Sequence, residues 1–188
     1  MKYDKSYLRN KSLLQRKKKY LTVKKFNFHL IFKLIRKHFH KKKIIIAGYY
    51  PLNYEVNILN FLEEASKKKF KIALPVIKSS NKMSFKPWIF KEPLYVNKFG
   101  MLEPNNLGKE IIPDLIMVPL VAFDRKLNRI GYGKGYYDRS LQKISKIKKK
   151  TITLGISYSF QKCGTIPTNK YDFKLNYVFT EQGIISSN

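Results

Sequence analysis

The chain has 188 residues, enough for one domain with a substantial buried core. Its 44% hydrophobic and 14% aromatic content excludes a disordered chain, although 39 Lys and Arg against 12 Asp and Glu leave a net charge of +27. That field attracts anionic ligands such as nucleotides, but the lysines are dispersed and accompanied by many Asn, Ile, Tyr and Phe, which reads as compositional drift rather than a nucleic-acid footprint.

Residues 3–39 lack Gly and Pro and carry apolar residues at helical spacing, which predicts one or two amphipathic helices with a possible break around Thr22 to Lys25. "KIIIAGYY" (43–50), closed by Pro51, reads as a buried strand. Residues 53–69 read as a helix with Asn53 as its N-cap and lysines at its end. "KIALPVI" is a second strand, and "KMSFKPWIF" a third, antiparallel or at an edge because of Pro87. "PDLIMVPLVAF" (113–123) is the most hydrophobic strand and so the expected sheet centre. A helix over roughly 135–147, the strand "TITLGISY" and a last short strand "NYVFT" (176–180) complete the order. Strands separated by helices predict an α/β fold: a single three-layer αβα domain over 1–188 with a largely parallel, mixed central sheet.

No apolar run approaches the roughly 20 residues that span a bilayer. "FNFHLIFKLI" is interrupted by Asn27, His29 and Lys33, with no small-residue cleavage site after it. The basic first 43 residues weakly resemble an organellar transit peptide, and a cytoplasmic protein is the better reading. Cys163 stands alone, so no disulfide framework or Cys-based metal site is expected, and its setting in "SFQKCGTIP" is that of a small buried hydrophobe.

The chemistry concentrates in "RIGYGKGYYDR" (129–139). Alternating glycines let the backbone take positive φ and bring successive N–H groups onto an anion, and the following helix aims its positive dipole end at the same place. Arg129 and Lys134 can neutralise phosphate oxygens, Asp138 can hold a divalent metal, and Tyr132, Tyr136 and Tyr137 offer flat faces for a heterocycle. The pattern is neither the Gly-Lys-Ser/Thr P-loop nor the dinucleotide G-x-G-x-x-G, and spacing alone leaves a phosphate cradle and a packed aromatic turn both open.

The run "VPLVAFDRKLNRIGYGKGYYDRSL" resembles the signature of the 5-formyltetrahydrofolate cyclo-ligase family, whose loop commonly reads R-x-G-x-G-G-G-Y-Y-D-R. "KSYLR" (5–9), "AGYYPLNYEVN", "ALPVI", "FGMLEP" and "SFQKCGTIPTNKYDFKLNYVFTEQG" follow the family's order over nearly the whole chain. The resemblance implies a ligase of folate one-carbon metabolism that uses MgATP to convert 5-formyltetrahydrofolate to 5,10-methenyltetrahydrofolate, releasing ADP and phosphate. In that chemistry the formyl oxygen takes the γ-phosphoryl group and N10 closes the ring. No protein nucleophile is needed, in keeping with the absence of a Ser–His or Cys–His arrangement.

By that resemblance Lys5 and Arg9, presented on one helical face at i and i+4, reach the nucleotide phosphates, and Arg9 also the substrate. Arg129, Gly131, Tyr132, Gly133, Lys134, Gly135, Tyr136 and Tyr137 form the ATP cradle, with Lys134 and Arg129 as catalytic cations. Asp138 and Asp172 hold Mg²⁺, while Glu55, expected on the helix after the first strand, contacts the folate with Tyr50, Met101, Tyr136 and Tyr137. The family usually has His-Asp where this chain has Tyr171–Asp172, and His29, His38 and His40 read as surface residues that do not replace it. Trp88 reads as core. ATP and reduced folate are the expected partners of a monomer, with no specific nucleic acid and no membrane. The competing readings are a basic RNA-binding or ribosome-associated protein, another small Mg-ATP-dependent kinase or ligase, and a family member inactivated at Tyr171.

Overall fold

The computed structural model describes residues 4–23, 25–40, 43–79, 82–105 and 108–187. The N-terminal region forms two helices, α1 (Lys5–Lys19) and α2 (His29–His38), so the expected break is real. Asp4 caps α1 by accepting from the Tyr7 N–H at 2.7 Å, and Arg16 to Lys19 complement the dipole at its other end. The chain then tightens into a 3₁₀ turn at Tyr20–Thr22 and is extended at Val23; residue 3 and Lys24 lie outside the described residues.

Next come β1 (Ile45–Ala47), α3 (Leu59–Lys67), β2 (Lys71–Ser79) and β3 (Lys82–Pro87). The short pair β4 (Tyr95–Val96) and β5 (Leu102–Glu103) precedes β6 (Leu115–Pro119), and a second short pair, β7 (Ala122–Phe123) and β8 (Arg129–Ile130), follows it. The chain ends with α4 (Tyr136–Ile147), β9 (Ile152–Ile156), β10 (Tyr177–Thr180) and β11 (Gly183–Ser186). The main sheet runs β11-β10-β9-β6-β1-β2-β3. Its five inner strands are parallel, and β3 and β11 join antiparallel at the two edges. β6, the "LIMVP" segment, is the central strand, as its hydrophobicity predicts.

Alternation along the strands divides the core into two layers. Ile46, Ile72, Leu74, Leu115, Met117 and Leu154 pack with Ile31, Phe32 and Ile35 of α2 and Phe61 and Leu62 of α3. Ala47, Ala73, Ile116, Val118 and Val178 pack with Leu141 and Ile144 of α4. This is the αβα sandwich that the element order implies. α1 lies apart from both layers and meets β7 and β8 through Leu8 and Leu13.

Three expectations about the elements fail. The run 113–123 is not one strand but two, β6 and β7, which lie in separate sheets. The helix after β1 begins at Leu59, with Ile58 as its cap, so Asn53 is not an N-cap. Asn53 and Tyr54 instead take positive φ (49° and 62°) in a turn closed by the Glu55 N–H donating to the Leu52 carbonyl. Glu55 therefore sits in the β1–α3 loop, not on a helix. The chain also does not stop at "NYVFT", because a tight turn at Gly183 (φ 131°) folds β11 back onto β10. A four-residue edge strand carries too little alternation to be read in advance.

Candidate active site

From β1 the chain passes to β2 and β3 on one side, then returns to place β6 on the other side of β1 and continues outward to β9 and β10. The crevice beyond the carboxyl ends of β1 and β6 is thus the topological switch point, where open α/β sheets take ligands. A cavity of about 510 Å³ opens there, reached by Tyr49 and Tyr50 after β1, Pro75 and Ile77 of β2 and Pro119 at the end of β6. Every residue assigned to the site from the sequence lines this one cavity, although the residues are spread from Lys5 to Asp172.

The glycine loop follows the β7–β8 pair, which separates it from the central strand, and runs straight into α4. Gly133 (φ 92°) and Gly135 (φ 65°) take the conformation glycine allows, whereas Gly131 does not need it. Gly135 stands immediately before α4, and a Cβ there would meet the Arg139 guanidinium at 2.6 Å. Arg139 in turn donates to the Lys134 carbonyl at 2.7 Å. α1 closes the loop from outside: Arg9 Nε donates to the Gly131 carbonyl at 2.8 Å, and its guanidinium carbon lies 3.4 Å from where a Gly133 Cβ would be. The Lys134 ammonium, in contrast, makes no hydrogen bond or ion pair among the described residues and remains available to a ligand.

A charge network runs beneath the loop. Arg129, with a side chain only 4% exposed, donates through Nη2 to Asp138 Oδ1 at 2.7 Å. Burial pulls its guanidinium below the usual value, while Asp138, and more weakly Tyr137 and Asp172, oppose that pull. Asp138 Oδ1 also accepts the Phe173 N–H at 3.1 Å. Asp172 Oδ2 accepts the Asn169 N–H at 2.7 Å and pairs with Lys5 at 2.5 Å. The second oxygen of each carboxylate has no protein donor among the described residues. Arg129 Nε and the Tyr137 hydroxyl are buried without a partner among the described residues, polar groups of the kind that a ligand satisfies.

A second network holds Glu55. Its Oε2 accepts the Leu52 N–H at 2.9 Å and its Oε1 accepts the Tyr132 hydroxyl at 2.9 Å. Burial pushes the Glu55 carboxyl above the usual range, and the Leu52 and Tyr132 hydrogen bonds and Arg16 restrain the rise. Burial raises the Tyr132 and Tyr137 phenols still further, so both stay protonated. Phe99 packs edge-on to Tyr136 at 5.9 Å, beside Met101.

Tyr171 is 65% exposed at the rim of the cavity, and its carbonyl accepts from Gln142. His29, His38 and His40 are exposed as expected, and Trp88 is buried with its indole N–H on the Glu92 carbonyl. Cys163 is half-buried rather than fully buried, and burial raises its thiol to about 11. The residue that sequence reasoning missed is Arg16, which looks like one more cation of a lysine-rich helix until tertiary packing buries it to 1% exposure.

A basic glycine loop leading into a helix, two carboxylates and an aromatic wall at a sheet switch point define an α/β enzyme of the nucleotide-using class. A family model described as the 5-formyltetrahydrofolate cyclo-ligase family matches residues 1–181, and the chain belongs to that family. It is accordingly a ligase of folate one-carbon metabolism, with ATP and a reduced folate as substrates. Its relatives include the 5-formyltetrahydrofolate cyclo-ligase of Haemophilus influenzae, 32% identical over 136 residues that cover 69% of this chain and 72% of that one. The cyclo-ligase of Mycoplasma pneumoniae is 33% identical over 138 residues, covering 73% of each. The solved structure of Aquifex aeolicus 5,10-methenyltetrahydrofolate synthetase superposes with a TM-score of 0.73 at 28% identity, covering 98% of this chain and 93% of that one. An RNA-binding reading is not favoured. Among the described residues no helix is long and apolar enough to cross a membrane.

Proposed function

We propose that the cavity carries out ring closure of 5-formyltetrahydrofolate with the residue roles read from the sequence. The observation that supports this is the meeting, in one cavity, of the Lys5–Asp172 and Arg129–Asp138 pairs with the Glu55–Tyr132 pair. The first set suits phosphates and the second a pterin, whose N–H groups a carboxylate accepts. Residues 129–137, Lys5 and Arg9 hold the nucleotide. Lys134 and Arg129 stabilise negative charge on the transferring phosphoryl group, which the formyl oxygen attacks before N10 closes the ring. Glu55, Tyr50, Met101, Tyr136 and Tyr137 orient the folate so that N10 and the formyl carbon stay in reach. No side chain needs to become a nucleophile.

The donor set fits Mg²⁺. Among the described residues no cluster of three or more His, Cys, Asp or Glu could cage a metal unaided. Asp138 and Asp172 each keep one oxygen free of protein donors. Two carboxylates completed by substrate phosphates and water are the usual setting for this ion. When bound, it would supply charge neutralisation of the ATP phosphates. Since Asp172 is present and anchored by Lys5, the exposed Tyr171 side chain is not expected to abolish turnover. The same reading has one domain acting as a monomer in the cytoplasm without a specific nucleic-acid partner.

The test is to incubate the protein with MgATP and 5-formyltetrahydrofolate and to follow the ultraviolet absorbance of the methenyl product. Product formation is expected, together with an ATP-dependent thermal shift; absence of both sinks the reading. Turnover that survives Asp138→Asn and Lys134→Ala refutes the loop assignment.

A further inference from the structure

α1 carries a third cation toward the loop that lies outside the cavity wall. Arg16 follows Arg9 by two helical turns and is 1% exposed. Its Nη1 donates to the Leu120 carbonyl at 3.2 Å, at the exit of the central strand. Its Nη2 donates to the Tyr132 hydroxyl, and the guanidinium lies 5.6 Å from the centroid of the same ring. The Tyr132 hydroxyl in turn donates a hydrogen bond to Glu55 Oε1 at 2.9 Å. Nε has no partner among the described residues.

A guanidinium stays charged at any working pH, and a buried one needs a counter-charge. Among the described residues no carboxylate forms an ion pair with Arg16. The negative group it faces is Glu55, one hydroxyl away, whose carboxylate it helps keep ionised against burial. Tyr132 is therefore a relay with a fixed direction: it accepts from the cation and donates to the anion. Without Arg16 the hydroxyl is free to rotate and Glu55 loses a cation that opposes its desolvation.

We propose that Arg16 is a positioning residue that, through Tyr132, holds the Glu55 carboxylate aligned for the folate. This rests on the reading of Glu55 as the folate contact. It also means that the glycine loop, which carries Tyr132, must be seated before the folate carboxylate is complete. Loop order and folate recognition are then one unit.

The experiment measures the dissociation constant for 5-formyltetrahydrofolate by calorimetry, with melting curves alongside, for the wild type, Arg16→Met, Tyr132→Phe, Glu55→Gln and the Arg16→Met/Glu55→Gln double variant. Arg16→Met is expected to weaken folate binding roughly ten- to hundredfold, as loss of an interaction with a charged group does. In the Glu55→Gln background the same change is expected to cost less than about twofold, because its target is gone. Tyr132→Phe, which cuts the relay and leaves the buried cation without that acceptor, is expected to match Arg16→Met in folate binding and to lower the Tm. Equal losses from Arg16→Met in both backgrounds indicate a purely structural role and overturn the inference. Wild-type affinity in Tyr132→Phe overturns it too, even if Arg16→Met fails to fold. Failure of the wild-type chain to bind 5-formyltetrahydrofolate overturns the functional reading itself, and the inference falls with it.

Discussion

At the scale of the residue, the site is a set of charges made safe in low-dielectric surroundings. Arg129 is buried and pairs with Asp138, so Asp138→Asn does two things. It removes the carboxylate proposed to hold Mg²⁺, and it strands a cation. The expected stability loss is about 2 kcal/mol, below the full cost of breaking a deeply buried pair because Asp138 is part-exposed; a thermal melt checks it. Turnover is expected to fall by about a hundredfold or more in the same variant. Glu55 makes a pH prediction. In the proposed role the anion accepts from the pterin, and burial raises its carboxyl, so the KM for folate is expected to rise as pH falls through a window above the ordinary carboxylate range. Glu55→Gln is expected to flatten that profile. For stability the sign is opposite: the folded carboxyl holds its proton more tightly, so its contribution is present at low pH and lost as pH rises through the folded value. With its thiol raised to about 11, Cys163 is expected to react slowly with alkylating reagents at neutral pH, and Cys163→Ala to keep full turnover in the absorbance assay.

At the scale of the element, chain order and hydrophobic pattern carried most of the prediction. The two N-terminal helices, the central strand and the antiparallel edge at Pro87 all follow from periodicity and proline chemistry. The helix after β1 did not, because the turn at Asn53 and Tyr54 is set by a carboxylate that bridges back to Leu52, a local bond with no periodic signature. That error moved Glu55 from a helix to a loop without removing it from the site. Strand β9 supplies the prediction at this scale. A Cβ on Gly155 would lie 2.6 Å from Leu175 Cδ1 and 2.7 Å from Leu120 Cδ2. Gly155→Ala is expected to cost about 1–3 kcal/mol by overpacking, read from the urea midpoint, with the KM values of the surviving folded enzyme unchanged.

At the scale of the whole molecule, the +27 charge is a field rather than a binding site. It is expected to favour ATP at low salt, so the KM for ATP should rise several-fold as ionic strength shortens the Debye length from about 30 Å toward 3 Å. Generic RNA is expected to bind only weakly and to be released between about 50 and 200 mM salt, while turnover continues. A filter-binding titration beside the absorbance assay separates the two. The sequence by itself determined the layered α/β class and the central strand, because hydrophobic alternation is a local signal, and its ordered motifs, through the family resemblance, pointed to residues that line one cavity. Only the tertiary structure decided which charges pair with which. Lys5 meets Asp172, Arg9 closes on Gly131, and Arg16 reaches Glu55 through Tyr132 because α1 lies across the glycine loop at the mouth of the sheet. A lysine-rich helix gives no linear sign of which cation will be buried; that choice belongs to packing, which desolvates Arg16 and leaves its neighbours in water.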